Sequence, residues 1–205
     1  MASAIVHICV AKELNKKLKV EEKTLYLGSI APDLSAEIKL DRNKSHFIGK
    51  NDKYPDIEKF VKKYKDHMND AFVLGYFFHI YTDRLWIDFL GKTVLYDKIY
   101  NSNGENVLIL DKPLKEIIYD DYTSLNASLI DKYKIDLSLF HEELELPDTL
   151  VDEIPIYKLD VIVDKTKNIL KNSKRDNQLL LDESEIIDFI NDSVKEIEEY
   201  LSSLE

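Results

Sequence analysis

Asn69-Asp70-Ala71-Phe72-Val73-Leu74-Gly75-Tyr76-Phe77-Phe78-His79-Ile80-Tyr81-Thr82-Asp83-Arg84-Leu85-Trp86-Ile87-Asp88-Phe89-Leu90 is the stretch on which the fold turns. Asn69-Asp70 offers side-chain acceptors to the free amides of a first helical turn, so a helix is expected over about 71–90. Its apolar side chains point in nearly every direction around the axis. A helix of that kind is stable only at the centre of a bundle. Gly75 costs about 1 kcal/mol relative to Ala in a helix interior, so it is expected to mark a close helix crossing. Inside the apolar run stand four polar residues, His79, Asp83, Arg84 and Asp88.

Working outward, amphipathic segments surround this one. Ser3 can cap a helix to about Lys19, with Val6, Val10, Leu14 and Leu18 on its apolar face and His7 among them. A short helix or turn at Thr24–Leu27 leads into Gly28-Ser29-Ile30-Ala31-Pro32-Asp33, whose Gly and Pro place Asp33 on a loop. Ser35–Pro55 is polar and reads as irregular, with Ser45-His46-Phe47 inside it, and Pro55 opens a helix over about 56–65. Asn101–Asn106 reads as a turn-rich linker, Val107–Leu110 as a short strand and Leu137–Leu146 as a short helix or loop. Helices are expected from Pro113 to about Tyr133 and over Ile156–Lys171. A final one follows the capping box Asp182/Glu185 and carries Ile186, Ile190, Val194, Ile197, Leu201 and Leu204. The expected fold class is all-α: a multi-helix bundle in one domain, 1–205, around the helix at 71–90.

Composition agrees. With five Gly and five Pro in 205 residues, the chain has too few turn formers for a many-stranded sandwich or barrel. A formal charge of −11 argues against long nucleic acid and against an anionic membrane surface, both of which need clustered Lys and Arg. Small charged ligands remain compatible with it. No run approaches ~20 apolar residues, so no transmembrane helix is expected. One cysteine, Cys9, and a start without a basic region followed by an apolar stretch lead to the expectation of a cytoplasmic protein. Oligomeric state leaves no trace in the sequence. Phosphate-binding Gly loops, the dinucleotide fingerprint and the Ser nucleophile elbow are absent. So is the His-Asp dipeptide of another helical group of metal-dependent phosphohydrolases.

The polar residues carry the chemistry. His79 and Asp83 are four apart, so both fall on one helix face and can aim at one cation. A His–Asp hydrogen bond between helices meets the same spacing. His7 is either a core histidine with a partner or a ligand. Asp33 is an Asx turn, a cap or an inward carboxylate; His46 is a loop histidine or a ligand. Four separate explanations are needed if each is incidental, whereas one metal site accounts for all of them. Arg84 either neutralises a bound phosphate or pairs with Asp88, and Tyr76 and Trp86 line a substrate cleft or fill the core. His67 and the runs Lys16-Lys17 and Lys62-Lys63 read as solvated.

The order His7, Gly28-x4-Asp33, Ser45-His46-Phe47, Gly75-Tyr76-x2-His79-x3-Asp83-x2-Trp86 resembles the zinc-dependent phospholipase C family, whose superfamily includes the S1/P1-type nucleases. It looks closest to short bacterial members, and covers roughly the first 90 residues. The resemblance implies a helical fold of that type, a site of two or more zinc ions and phosphoester hydrolysis. By position, Asp33, His46 and His79 would hold one zinc, Asp83 would bridge to a neighbouring ion, and His7 would bind that neighbour. Asp33 and Asp83 would be the catalytic carboxylates, Asp33 orienting or deprotonating a water. Secreted members also use a processed terminal amine and carbonyl; loss of Met1 would leave Ala2 in that place. The family's further site of two histidines and a glutamate has no match after the long helix, since no His lies between His79 and His141. His141 with Glu145 repeats an i, i+4 pattern and reads as surface. Asp88, Glu116, Asp120 and Asp121 are the candidate replacements, and an all-carboxylate site would suit Mg²⁺, Mn²⁺ or Ca²⁺.

The function expected is metal-dependent hydrolysis of a small phosphoester or a phospholipid head group, with Arg84 and Tyr76 on the substrate. A non-catalytic metal-binding protein of the same fold is the first alternative, and a metal-free helical interaction module the second.

Overall fold

The computed structural model describes residues 1–100, 104–106, 108, 110–136, 151–176 and 180–204, with backbone alone at 96 and 97. The structure is 73% helical, and no strand occurs among the described residues, so the all-α class holds. Helix α1 (Ala4–Leu18) starts where Ser3 Oγ accepts from the Val6 amide, and ends on Lys19 in the left-handed region at φ 55°. Helix α2 (Glu22–Ile30) runs into a 3₁₀ turn, Ala31–Asp33. The single-turn helices α3 (Leu34–Glu37) and α4 (Arg42–Ser45) lie in the stretch expected to be irregular. Helix α5 (Ile57–Tyr64) is capped by Asp56 and α6 (Ala71–Phe89) by Asp70, which accepts from the Phe72 and Val73 amides. A wider π-helical coil, Leu90–Ile99, continues α6. Helices α7 (Leu114–Tyr133), α8 (Leu159–Asn172) and α9 (Glu183–Ser203) follow, α9 with the expected capping box.

Helix α6 is the centre of the bundle: it packs against α1, α2, α5, α9 and the 3₁₀ turn before α3. Every residue from Phe72 to Asp83 is buried, and beyond that the helix emerges, leaving Arg84 and Asp88 exposed. The α2–α6 crossing is the tightest joint. A Cβ on Gly28 would stand 2.2 Å from the Phe72 carbonyl oxygen, and one on Gly75 would stand 2.1 Å from that of Leu25. Each glycine thus lets the other helix's backbone in. Gly28 was expected to punctuate a loop; it lies inside α2 instead, because this contact needs a residue without a side chain there. Phe47, Phe60, Phe72, Phe77 and Tyr76 form an aromatic cluster on one flank of α6, with Phe60 stacked on Tyr76 at 5.7 Å.

Near the expected strand at Val107–Leu110, residues 107 and 109 are outside the described set. Tyr100 and Asn106 form an isolated bridge. The whole segment Leu137–Leu146, with His141 and Glu145, also lies outside the described residues. Among the described residues no helix is long and apolar enough to cross a membrane.

Candidate metal centre

Five polar side chains from four places in the chain meet beside α6. His7 comes from α1, Asp33 from the end of the 3₁₀ turn, His46 from the residue after α4, and His79 and Asp83 from successive turns of α6. His7, His46, His79 and Asp83 are at most 1% exposed, and Asp33 8%. Two triplets have ligand atoms within 4.8 Å of one another: His7, His79 and Asp83, and Asp33, His46 and His79.

Local structure aims each group. Phe47 sits at φ 56°, unusual for an aromatic residue, so the chain turns sharply between His46 and Phe47. One ring enters the cluster and the next enters the aromatic core. The Tyr76 hydroxyl donates to the Ser45 carbonyl at 2.6 Å and pins this turn to α6. His79 Nδ1 lies 2.7 Å from the Ser29 carbonyl, which can only accept, so Nδ1 carries the proton and Nε2 a lone pair. His46 resolves the same way. Ser35 Oγ donates to the Pro32 carbonyl at 3.0 Å and Ser45 Oγ donates to Ser35 Oγ at 2.8 Å. That leaves Ser45 Oγ to accept from His46 Nδ1 at 2.7 Å, with the Arg42 carbonyl 3.2 Å away.

Two unprotonated nitrogens therefore face each other, His46 Nε2 and His79 Nε2, 3.3 Å apart. Around them are Asp33 Oδ1, at 3.6 and 3.9 Å, and Asp83 Oδ2, at 3.6 and 4.0 Å. No hydrogen lies between any of these atoms. Ligands at 2.0–2.1 Å from a tetrahedral zinc stand about 3.3–3.4 Å from one another. The distances from the two imidazole nitrogens to each other and to the two carboxylate oxygens run from 3.3 to 4.0 Å, and Asp33, His46 and His79 make up one of the two triplets. Asp33 Oδ1 has no hydrogen-bond partner among the described residues, as expected of an atom built for a cation. These residues fit a divalent ion.

Asp83 faces two ways. Oδ2 looks toward His46 and His79, whereas Oδ1 lies 3.5 Å from His7 Nε2 and accepts from the Ala2 amide at 3.0 Å. Both nitrogens of His7 lack a hydrogen-bond partner among the described residues, and its ring stacks on His79 at 3.8 Å. His7 and Asp83 Oδ1 thus outline a second position, as buried as the first. The electrostatics follow from burial. Burial, then the nearby His7, lower His79 to about 3, so it is neutral at physiological pH. Burial pushes the Asp33 carboxyl up, but the surrounding histidines outweigh it and hold the group at about 2. Asp83 is likewise pushed up by burial and drawn well below the usual carboxylate range by its partners. Carboxylates held ionised in this way are good cation ligands and weak bases.

Asp33 also touches a cleft of about 760 Å³ between residues 1–4, α7 and α8. The other expected site residues are elsewhere. Asp88 is exposed and accepts from the Tyr54 hydroxyl at 2.9 Å. Glu116 is exposed, and Asp120 pairs with Lys112 at 2.9 Å. Asp121 is buried, but its Oδ2 accepts from the Leu180 and Leu181 amides, which makes it an anchor for the chain before α9. These four carboxylates form no three-ligand cluster among the described residues. Arg84 projects from α6 to solvent, about 100° around the helix axis from Asp83. Tyr76 is fully buried with its hydroxyl on Ser45, so it supports His46 rather than facing a cleft. The basic residue that does reach the cluster is Arg42, whose Nη2 lies 3.1 Å from Asp83 Oδ2. A lone arginine in a polar loop has no periodicity to single it out; its place four residues before His46 was the only available signal. No family model, curated protein or solved structure matches this chain.

Proposed function

We propose that this protein is a metal-dependent phosphoesterase, hydrolysing a phosphomonoester or phosphodiester, and that it belongs with the zinc-dependent phospholipase C-like proteins its motif order resembles. The observation that carries this reading is the convergence of two imidazole lone pairs and two carboxylate oxygens with no hydrogen among them. Asp33, His46, His79 and Asp83 would hold one ion, and His7 with Asp83 a second. A mixed nitrogen and oxygen donor set of this kind suits zinc. When bound, such ions supply Lewis acidity toward water and a phosphoryl oxygen at neutral pH. The chain's own part is to hold the ligands in one protonation state: Ser29 and Ser45 fix the two imidazoles, and Asp33 connects the buried centre with the cleft.

The test is elemental analysis after native purification, with a panel of phosphomonoesters and phosphodiesters. One or two zinc equivalents and turnover that is lost in His79→Ala are expected. Retention of metal and activity by that variant would falsify the assignment.

A second reading, a non-catalytic metal protein, is favoured by one observation. If all four donors bind a single ion they close a tetrahedral shell, and structural zinc sites have no open position. One ion per chain with no turnover across the panel would decide for it.

A further inference from the structure

Arg42 presents its two ends to the same cluster. Its backbone carbonyl stands 3.2 Å from His46 Nδ1, and its guanidinium donates from Nη2 to Asp83 Oδ2 at 3.1 Å. That oxygen is also the one facing His46 and His79. A divalent ion held by Asp83 Oδ2 and the guanidinium would therefore be two positive centres on one carboxylate oxygen. Like charges that close repel, and the more weakly held one moves.

The guanidinium is the movable partner. Its side chain is 37% exposed, against 1% for Asp83. Among the described residues its other contact is Nε to the Met1 thioether, a weak acceptor. A guanidinium carries five donors in a planar fork suited to phosphate oxygens, so most of its capacity is unspent. Met1 lines the cleft that Asp33 opens onto, which puts Arg42 beside the route to the cluster. The chain carries a formal charge of −11, and among the described residues Arg42 is the one lysine or arginine paired with the cluster. An anionic ligand arriving here needs a local cation of this kind.

We infer that Arg42 is the oxyanion-binding residue of this site: its guanidinium neutralises Asp83 until a divalent ion takes that carboxylate, and then turns to hold a tetrahedral oxyanion of the phosphate type. The inference rests on the metal reading above, but it makes an independent demand. Removing a competitor for Asp83 must strengthen metal binding while weakening anion binding. A merely structural ion pair would give only the first effect and would leave anion binding unchanged.

The experiment uses the full chain, stripped with a chelator, and the variants Arg42→Gln and Arg42→Lys, with circular dichroism to establish that all three are folded. Cobalt(II) is titrated alone in phosphate-free buffer and followed by its absorption. Inorganic phosphate and dimethyl phosphate are then titrated separately into the cobalt-loaded proteins, which distinguishes a dianion from a diester monoanion. R42Q is expected to bind cobalt about tenfold more tightly than the unmodified protein and the preferred anion at least about tenfold more weakly. R42K, which keeps the charge without the fork, is expected to fall between them. Equal or weaker cobalt binding by folded R42Q, or anion binding equal to that of the unmodified protein, would overturn the inference and leave the metal site standing. Failure of the unmodified protein to take up cobalt would overturn both.

Discussion

His79 Nδ1 on α6 donates to the carbonyl of Ser29 on α2 at 2.7 Å, one turn along from Gly75, the residue that brings the two helices together. A hydrogen bond between a side chain and another helix's backbone requires an unusually close crossing. The same joint therefore sets the packing of the bundle and the protonation state of a metal-ligand candidate.

Replacing Gly75 with Ala tests that dependence. The new methyl group would meet the Leu25 carbonyl oxygen at 2.1 Å, with backbone on both sides. Overpacking of this kind destabilises by about 1–3 kcal/mol, and the Ser29–His79 bond would lengthen with the separation. Gly91→Ala, where nothing lies within 4 Å, is the control and should change stability by less than about 0.5 kcal/mol. Chemical denaturation of the two variants measures the contrast.

Tyr76→Phe removes one oxygen and leaves the Ser45 carbonyl without its 2.6 Å donor. An unsatisfied buried acceptor costs about 1–3 kcal/mol. Because that bond pins the turn carrying His46, metal affinity should fall about tenfold as well. Isothermal titration with zinc checks the second effect. A loss of stability with affinity intact would reduce Tyr76 to a core residue.

The metal-free protein should lose stability in acid over a defined window. Folded His79 takes a proton only near pH 3, whereas an unfolded histidine takes one near 6.5. The unfolded chain thus binds the extra proton throughout that interval, and stability falls as pH drops through it, by up to about 1.4 kcal/mol per pH unit. Asp33, held at about 2 against an ordinary 3.8, stabilises above 3.8 and loses that contribution as pH falls toward 2. Urea titrations between pH 7 and 4 in the presence of chelator should show the slope, and His79→Gln should flatten it.

Metal removal should be visible in heat stability. A ligand present at a thousand times its dissociation constant stabilises the native state by about 4 kcal/mol. For a chain of this length each kcal/mol moves Tm by about 2–4 °C. Chelation of the native protein is therefore expected to lower Tm by roughly 8–16 °C. An unchanged melting curve would favour a metal-free interaction module.

Asp121→Ala separates the two kinds of buried carboxylate. It removes the acceptor for the Leu180 and Leu181 amides, so stability should drop by about 2–3 kcal/mol. Metal content, by elemental analysis, should be unchanged.

The sequence by itself determined the main helices, though not α3, α4 or the π-helical coil after α6. Caps at Ser3, Asp70 and Asp182 act within a few residues of where they stand, and an apolar stripe can be read from its own period. It also brought together as candidates His7, His79 and Asp83, polar groups on apolar helix faces that must have partners, and, through the motif order, the loop residues Asp33 and His46. Tertiary structure alone decided what spacing along a chain does not encode. Asp88, Glu116, Asp120 and Asp121 look alike as letters, yet three point to solvent and one anchors a backbone. Arg42 and Arg84 differ in the opposite sense: the arginine beside His79 and Asp83 in sequence faces outward, and the one 41 residues from Asp83 reaches it. Helical phase sets where Arg84 points. Where Arg42 points depends on how α4 and the start of the chain pack against α6, which is a property of the folded whole.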